Sequence, residues 1–190
     1  MSGGHGAGSP GAAATAGGRW NGAKVRLFGA VVGAVLAADI ATKLVVQRTL
    51  RPYQQVEILG DYVRLTYIYN PGAAFGIYLG DYSRIIFLVL SLIALAALLA
   101  MYWVTPLANR VRLASIALVC GGAIGNLIDR VRSPRGVVDF LDMGVAELRW
   151  PVFNVADVAV TTGAILLALS LWQEEHGRER EGGREPGGGG

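Results

Sequence analysis

Aspartates and asparagines at the ends of apolar runs are the residues of this chain best placed to do chemistry. Asn154 and Asp157 stand three apart at the head of one run, and Asn126, Asp129 and Arg130 close another at spacings of three and four. Asp39 and Lys43, four apart, occupy the later half of a third run, while Asn70, Asp139 and Asp142 lie between runs. Residues three or four apart share a helix face, so each group can act as a unit. Two carboxylates brought together cannot both ionise easily; one keeps a proton and the other can take one from water. Such a pair can hydrolyse a peptide bond without a serine or cysteine nucleophile. Asp39, Asp129, Asp139, Asp142 and Asp157 are all open candidates, and spacing does not rank them. Asp39 can be neutralised by Lys43, and Asp129 can be held by Arg130 or cap a helix end.

Other chemistries are poorly supplied. The histidines, His5 and His176, fall in glycine-rich terminal segments with nothing to orient them, which argues against a histidine-based triad and against most zinc sites. No metal and no cofactor is expected. The stretch "GGAIGN" (121–126) follows no strand and lies inside an apolar run, so it is not read as a phosphate loop. Cys120 is the single cysteine and reads as a small buried helix residue. The net charge of +3 comes without interleaved aromatic and basic residues, so nucleic acid is not an expected partner.

The elements that must position these residues are membrane helices. The chain is 53% hydrophobic and 16% charged, with mean hydropathy +0.43, too apolar for a soluble domain of 190 residues. Four apolar segments, Leu27–Val46, Ile85–Val104, Leu113–Ile128 and Val155–Trp172, approach the roughly 20 residues a spanning helix needs. The first follows Arg19, Lys24 and Arg26 as a signal peptide would. It is nevertheless longer than a cleaved apolar region, contains Asp39 and Lys43, and lacks a small-residue cleavage site, so it reads as a retained helix. Residues 1–22 and 174–190 are expected to be disordered tails around a membrane domain at 23–173. The long connections, about 47–84 and 129–151, fall on the side opposite the termini. Within them "VEIL" (56–59), "YVRLTYIY" (62–69) and "GVVDFLDM" (136–143) are bracketed by turn residues and predict short strands of one small sheet at the membrane surface. The fold class is a mainly α membrane protein with four transmembrane helices and a small sheet.

This topology gathers the end of the first helix, the end of the third, the start of the fourth and both long loops at one face, whichever way the chain is inserted. Lysines and arginines outside the helices divide eight against eight between the sides, so the positive-inside rule does not choose an orientation. A small ion-coupled transporter is the rival reading, but its acids would be expected near the midplane, and neither an inverted repeat nor a charge in the second apolar segment is found. A non-catalytic assembly factor is a third reading; it would tolerate loss of the acids.

The motifs "DIATK" (39–43), "NPGAAFG" (70–76), "GGAIGNLIDR" (121–130), "GVVDFLDM" (136–143) and "FNVAD" (153–157) occur in the order found in the bacterial lipoprotein signal peptidases, and the core from about 27 to 172 closely resembles that family. The resemblance implies an integral-membrane aspartic peptidase that cuts prolipoproteins just before the lipid-modified cysteine, with Asp139 and Asp157 as the catalytic pair. It implies that Asn70, Asn126, Arg130 and Asn154 line the site or hold the substrate backbone, that Asp129 supports it, and that Asp39 and Lys43 form the first-helix motif. It also implies four helices with a small β-cradle and an interfacial helix, termini in the cytoplasm and a site at the extracytoplasmic face of the bacterial cytoplasmic membrane. The partners would be diacylglyceryl-modified prolipoprotein signal peptides and the lipid bilayer, for a chain expected to act as a monomer. One departure is visible: "VRSPRG" (131–136) is about one residue longer than the family's pattern and contains a proline.

Overall fold

Each apolar run becomes a helix that extends beyond the run. A computed structural model describes residues 21–71 and 80–182. The helices are α1 (Gly22–Thr49), α2 (Ser83–Val104), α3 (Arg110–Arg132) and α4 (Val155–Gly182). With 22 to 28 residues at 1.5 Å rise, every one exceeds the roughly 30 Å of a hydrocarbon core. Asparagines start two of them: the Asn21 side chain accepts from the Ala23 amide at 2.9 Å, and that of Asn109 from the Arg112 amide at 3.2 Å.

The C-terminal boundary differs from expectation. Residues 174–182, read as part of a disordered tail, continue α4. A helix already nucleated in the membrane extends without a new nucleation cost. Glu174 pairs with Arg112 of α3, and the His176 ring packs 4.5 Å from that of Trp172 one turn earlier. Nearly all of the expected N-terminal tail (1–20), part of the "NPGAAFG" motif (72–76) and residues 183–190 lie outside the described residues. The interfacial helix implied by the resemblance is not among the described residues; before α2 there is a single 3-10 turn, Gly80–Tyr82.

Helix α3 is the centre of the bundle and packs against each of the other three. Its small residues set how close they come. A methyl group on Gly122 would stand 2.3 Å from the Ala156 carbonyl oxygen of α4, and one on Gly125 would stand 2.7 Å from the Asp39 carboxylate of α1. Cys120 is buried beside Tyr102, Leu113 and Ile116, in the role the sequence suggested. Helix α2 packs chiefly on α3 and turns Ile85, Val89, Leu90 and Ile93 outward, as a lipid-facing helix should.

The strand-like stretches form one antiparallel sheet in the order β1 (Gln55–Leu59), β2 (Val63–Asn70), β3 (Val137–Val145) and β4 (Leu148–Arg149). The two-residue β4 was not foreseen, being too short to show a period. The β2–β3 ladder contains a bulge. Leu65 faces Leu141 and Ile68 faces Asp139, so two residues of β2 oppose Phe140 alone. A bulge shifts the pairing by one and re-aims side chains, and here it lies next to Asp139. Val46 of α1 buries against Tyr67, Val138 and Phe140, which seats the sheet on the bundle.

Gly122→Val should therefore drive α3 and α4 apart at a cost of about 1–3 kcal/mol or more. Gly33→Ala, where a methyl group meets nothing within 4 Å, should leave stability unchanged or slightly raised. Thermal unfolding in detergent compares the two.

Candidate active site

The site begins with the first turn of α4. Asn154 stands just before the helix, its side-chain oxygen accepting from the Asp157 amide at 3.0 Å. The Asp157 carboxylate in turn accepts from the Asn154 amide at 3.1 Å. This reciprocal pair is a capping box, which satisfies amides that a helix start leaves without partners. The three-residue spacing that drew attention in the sequence thus has a structural role as well.

The same asparagine links the two acids. Asn154 Nδ2 donates to Asp139 Oδ1 at 2.7 Å, to Asn126 Oδ1 at 3.0 Å and to the Val138 carbonyl at 3.3 Å. Asn126 Nδ2 donates to the other Asp157 oxygen, Oδ1, at 2.8 Å. Asn70 Nδ2 donates to Asp139 Oδ2 at 2.9 Å. In the ladder Asn70 is the diagonal neighbour of Asp139, two residues beyond its direct partner Ile68 and on the same face. Each carboxylate therefore holds two N–H donors. The amide orientations are fixed by partners that can act in only one way. Lys43 Nζ, a pure donor, sits 3.2 Å from Asn126 Oδ1 and so turns the Asn126 NH2 toward Asp157.

Lys43 also joins the helices. Its ammonium lies 2.8 Å from Asp39 and 2.7 Å from Asp129. Asp39 is fully buried, and its second oxygen accepts from the Ala156 amide at 3.0 Å, in the first turn of α4. Asp129 accepts from the Val138 amide at 3.4 Å, one residue before Asp139. The expected neutralisation of Asp39 by Lys43 is present. The alternative pairing of Asp129 with Arg130 is replaced by its pairing with Lys43. Arg130 is half-buried and lies within electrostatic reach of Asp157, Asp139 and Asp129. Its Nε has no hydrogen-bond partner among the described residues. Its own carbonyl accepts from Arg84 Nε at 2.8 Å. Arg84, at the start of α2, went unnoticed in the sequence because a basic residue before an apolar run reads as a topology signal.

Asp142 falls outside this network. It pairs with Arg149 at 2.7 Å and accepts from Thr66 at 2.8 Å, an arrangement internal to the sheet. His176 stands 19 positions along α4 from Asp157, about 28 Å away at helical rise.

The two linked acids are not electrically alike. Burial pushes Asp139 from the ordinary carboxylate range up to about 7, and the charge of Asp157 adds to the rise. The amides of Asn70 and Asn154 and the charge of Lys43 pull the other way. Asp139 can therefore hold a proton near neutrality, as a pair working by general acid and base requires.

Residues 31–173 match the family described as signal peptidase (SPase) II. The lipoprotein signal peptidase of Geobacter metallireducens is 39% identical over 157 residues, covering 82% of this chain and 96% of the relative. That of Halothermothrix orenii is 43% identical over 145 residues, covering 76% and 94%. A bacterial membrane enzyme solved by the in meso method at 2.3 Å superimposes with a TM-score of 0.71 at 27% identity, over 89% of this chain and 95% of that one. A second, solved by the same method at 1.9 Å, gives 0.67 at 31% identity, over 79% and 92%.

Two outcomes follow from the geometry. Lys43→Met strands the Asp39 and Asp129 carboxylates and should cost about 3–5 kcal/mol, with Asp39→Asn added to it recovering part of the loss; melting in detergent reads both. Because the folded-state value of Asp139 is raised, its contribution to stability is fully present below the unfolded value of about 3.8 and is lost as pH rises through about 7. Infrared spectra should show a protonated carboxyl band that disappears over that rise and is missing in Asp139→Asn.

Proposed function

The chain belongs to the signal peptidase II family, and from that premise we propose that it removes the signal peptide of prolipoproteins by a two-aspartate, water-activating mechanism, cutting before the lipid-modified cysteine. It is a peptidase, and its four apolar helices make it a multi-pass protein of the bacterial inner membrane. The observation that carries the mechanistic reading is the single hydrogen-bonded network joining Asp139 to Asp157 through Asn154 and Asn126, with Asp139 pushed up to about 7.

In this mechanism Asp157 is the base and Asp139 the acid. Asp157 takes a proton from water as the water oxygen bonds to the scissile carbonyl carbon. The Asp139 hydroxyl donates to the carbonyl oxygen, so the addition yields a neutral gem-diol. The proton on Asp157 then passes to the leaving nitrogen, the C–N bond breaks, and Asp139 recovers a proton from one of the diol hydroxyls. The signal peptide leaves with a carboxyl group and the cysteine with a free amine. Arg130 is suited to hold a substrate carbonyl, since its buried Nε is unsatisfied among the described residues. No protein nucleophile and no covalent intermediate is required. The termini are assigned to the cytoplasm and the site to the outer face, following the family's orientation.

Asp139→Asn and Asp157→Asn should each lower cleavage of a diacylglyceryl-modified precursor by about 10²–10⁴-fold while the protein stays folded. The unmodified precursor should remain uncut by the wild type. A gel-shift assay with both precursors is the check, and normal cleavage by purified Asp157→Asn would overturn the assignment. Because the acid must be protonated, kcat should fall as pH rises through about 7. Asn70→Ala removes a donor that favours the ionised form, so it should move this decline to higher pH.

A further inference from the structure

Asn70 is the last residue of β2, and its amide reaches Asp139 only while that strand end stays seated on β3. Beyond the bulge the seating rests on three register pairs, Ile68 with Asp139, Tyr69 with Val138 and Asn70 with Val137. So short a strand end is prone to fray. The turn 133–136 lies directly against it. That turn is closed by the Gly136 amide donating to the Ser133 carbonyl at 3.2 Å and by the Arg135 amide donating to Ser133 Oγ at 3.2 Å. Gly136 adopts φ 99, and a methyl group there would stand 2.0 Å from the Asn70 carbonyl oxygen, so the Asn70 backbone rests on the bare glycine. One residue earlier, the Arg135 guanidinium lies 4.0 Å from the centre of the Tyr69 ring. The Tyr69 hydroxyl accepts from the buried Tyr67 hydroxyl, which steadies the ring at its far end. Among the described residues Arg135 forms no ion pair, and its guanidinium packs on the Tyr69 ring.

We propose that Arg135 is a positioning residue of the peptidase: its stack on Tyr69 clamps the end of β2 onto the turn, so that the Asn70 amide stays on Asp139 while that acid exchanges its proton with the substrate. The clamp gives the proline-bearing stretch 131–136 a role in the site. It rests on the two-aspartate reading and adds to it. Among the described residues the charged groups acting on Asp139 include Asp157 from α4, Lys43 from α1 and Arg130 from α3, while Asp129 of α3 holds the neighbouring Val138 amide. Among the described residues none of them forms an ion pair with Arg135, so loss of the clamp reaches Asp139 through Asn70. Asn70 lowers the affinity of Asp139 for its proton, so loosening Asn70 raises it.

The test measures kcat and KM against pH for the full-length protein in detergent, with a diacylglyceryl-modified precursor. Arg135→Ala should lower kcat about three- to tenfold with KM nearly unchanged, the range a cation–π contact supports. It should also move the alkaline decline of kcat upward, in the direction of Asn70→Ala. Tyr69→Leu, which removes the ring from the other side, should repeat the result. Arg135→Lys keeps a cation and should stay within about twofold of wild type, while Tyr69→Phe, which keeps the ring and loses only its bond to the Tyr67 hydroxyl, should lose less than Tyr69→Leu. The double variant Asn70→Ala/Arg135→Ala should match Asn70→Ala alone, since both act through one amide. An Arg135→Ala enzyme with an unmoved alkaline decline, or losses that multiply in the double variant, would overturn the clamp. If Asn70→Ala shifts the decline and Arg135→Ala does not, the clamp alone falls. If Asp139→Asn stays active, the two-aspartate reading falls with it.

Discussion

A lysine ammonium buried at the bundle's polar end ties the helices together. Lys43 reaches Asp39 on its own helix and Asp129 and Asn126 on α3. A charge removed from water at the membrane edge is costly unless paired and hydrogen-bonded. Here three acceptors surround the ammonium, and each is also engaged elsewhere. Asp39 holds the Ala156 amide of α4, Asp129 holds the Val138 amide of β3, and Asn126 holds Asp157. One cation therefore sets the relative positions of α1, α3, α4 and the strand that carries Asp139. Gly125 is needed at the contact because a side chain there would occupy the place of the Asp39 carboxylate.

The start of α4 shows how folding and chemistry share the same bonds. Any helix must satisfy its first amides, and a carboxylate in the first turn is favoured by the helix dipole. Asn154 and Asp157 meet that need reciprocally. Once they do, Asp157 Oδ1 and Asn154 Nδ2 are free to point inward, toward Asn126 and Asp139. An acid at the mouth of a membrane helix, costly in isolation, is held by a capping box and an asparagine bridge. The transporter reading loses its footing for the same reason. The polar groups form one network at the ends of helices, and α2 contributes a basic side chain only at its first turn.

Asp139 arrives by a different route. Its strand would place alternate residues on opposite faces, and the bulge in β2 shifts the pairing beside it by one residue. That shift lets Asn70 lie diagonally against Asp139 while Asp142, three residues on, turns to Thr66 and Arg149. Two acids of similar appearance in one strand thus acquire different roles: one is buried and linked through asparagines to a second carboxylate, the other is neutralised by a guanidinium.

Four membrane helices, three of the strands and the gathering of polar residues at one end were legible in the amino-acid sequence, because apolar run length, alternation and chain order are local or topological properties. The family was legible too, because its motifs keep their order and spacing along the chain. The partner of Asp129, the structural role of Asp142, the two-residue β4 and the continuation of α4 to Gly182 were not. Each depends on a residue remote in the chain or on a neighbour that packs only after folding. Asp129 has Arg130 beside it in sequence, yet Lys43, 86 positions earlier, is the cation it meets. Sequence alone thus determined which elements form and which end of them is polar. Only the tertiary structure decided which carboxylates share a network and which are neutralised, because that choice is made by distances of about 3 Å between side chains that the chain brings together from five separate elements.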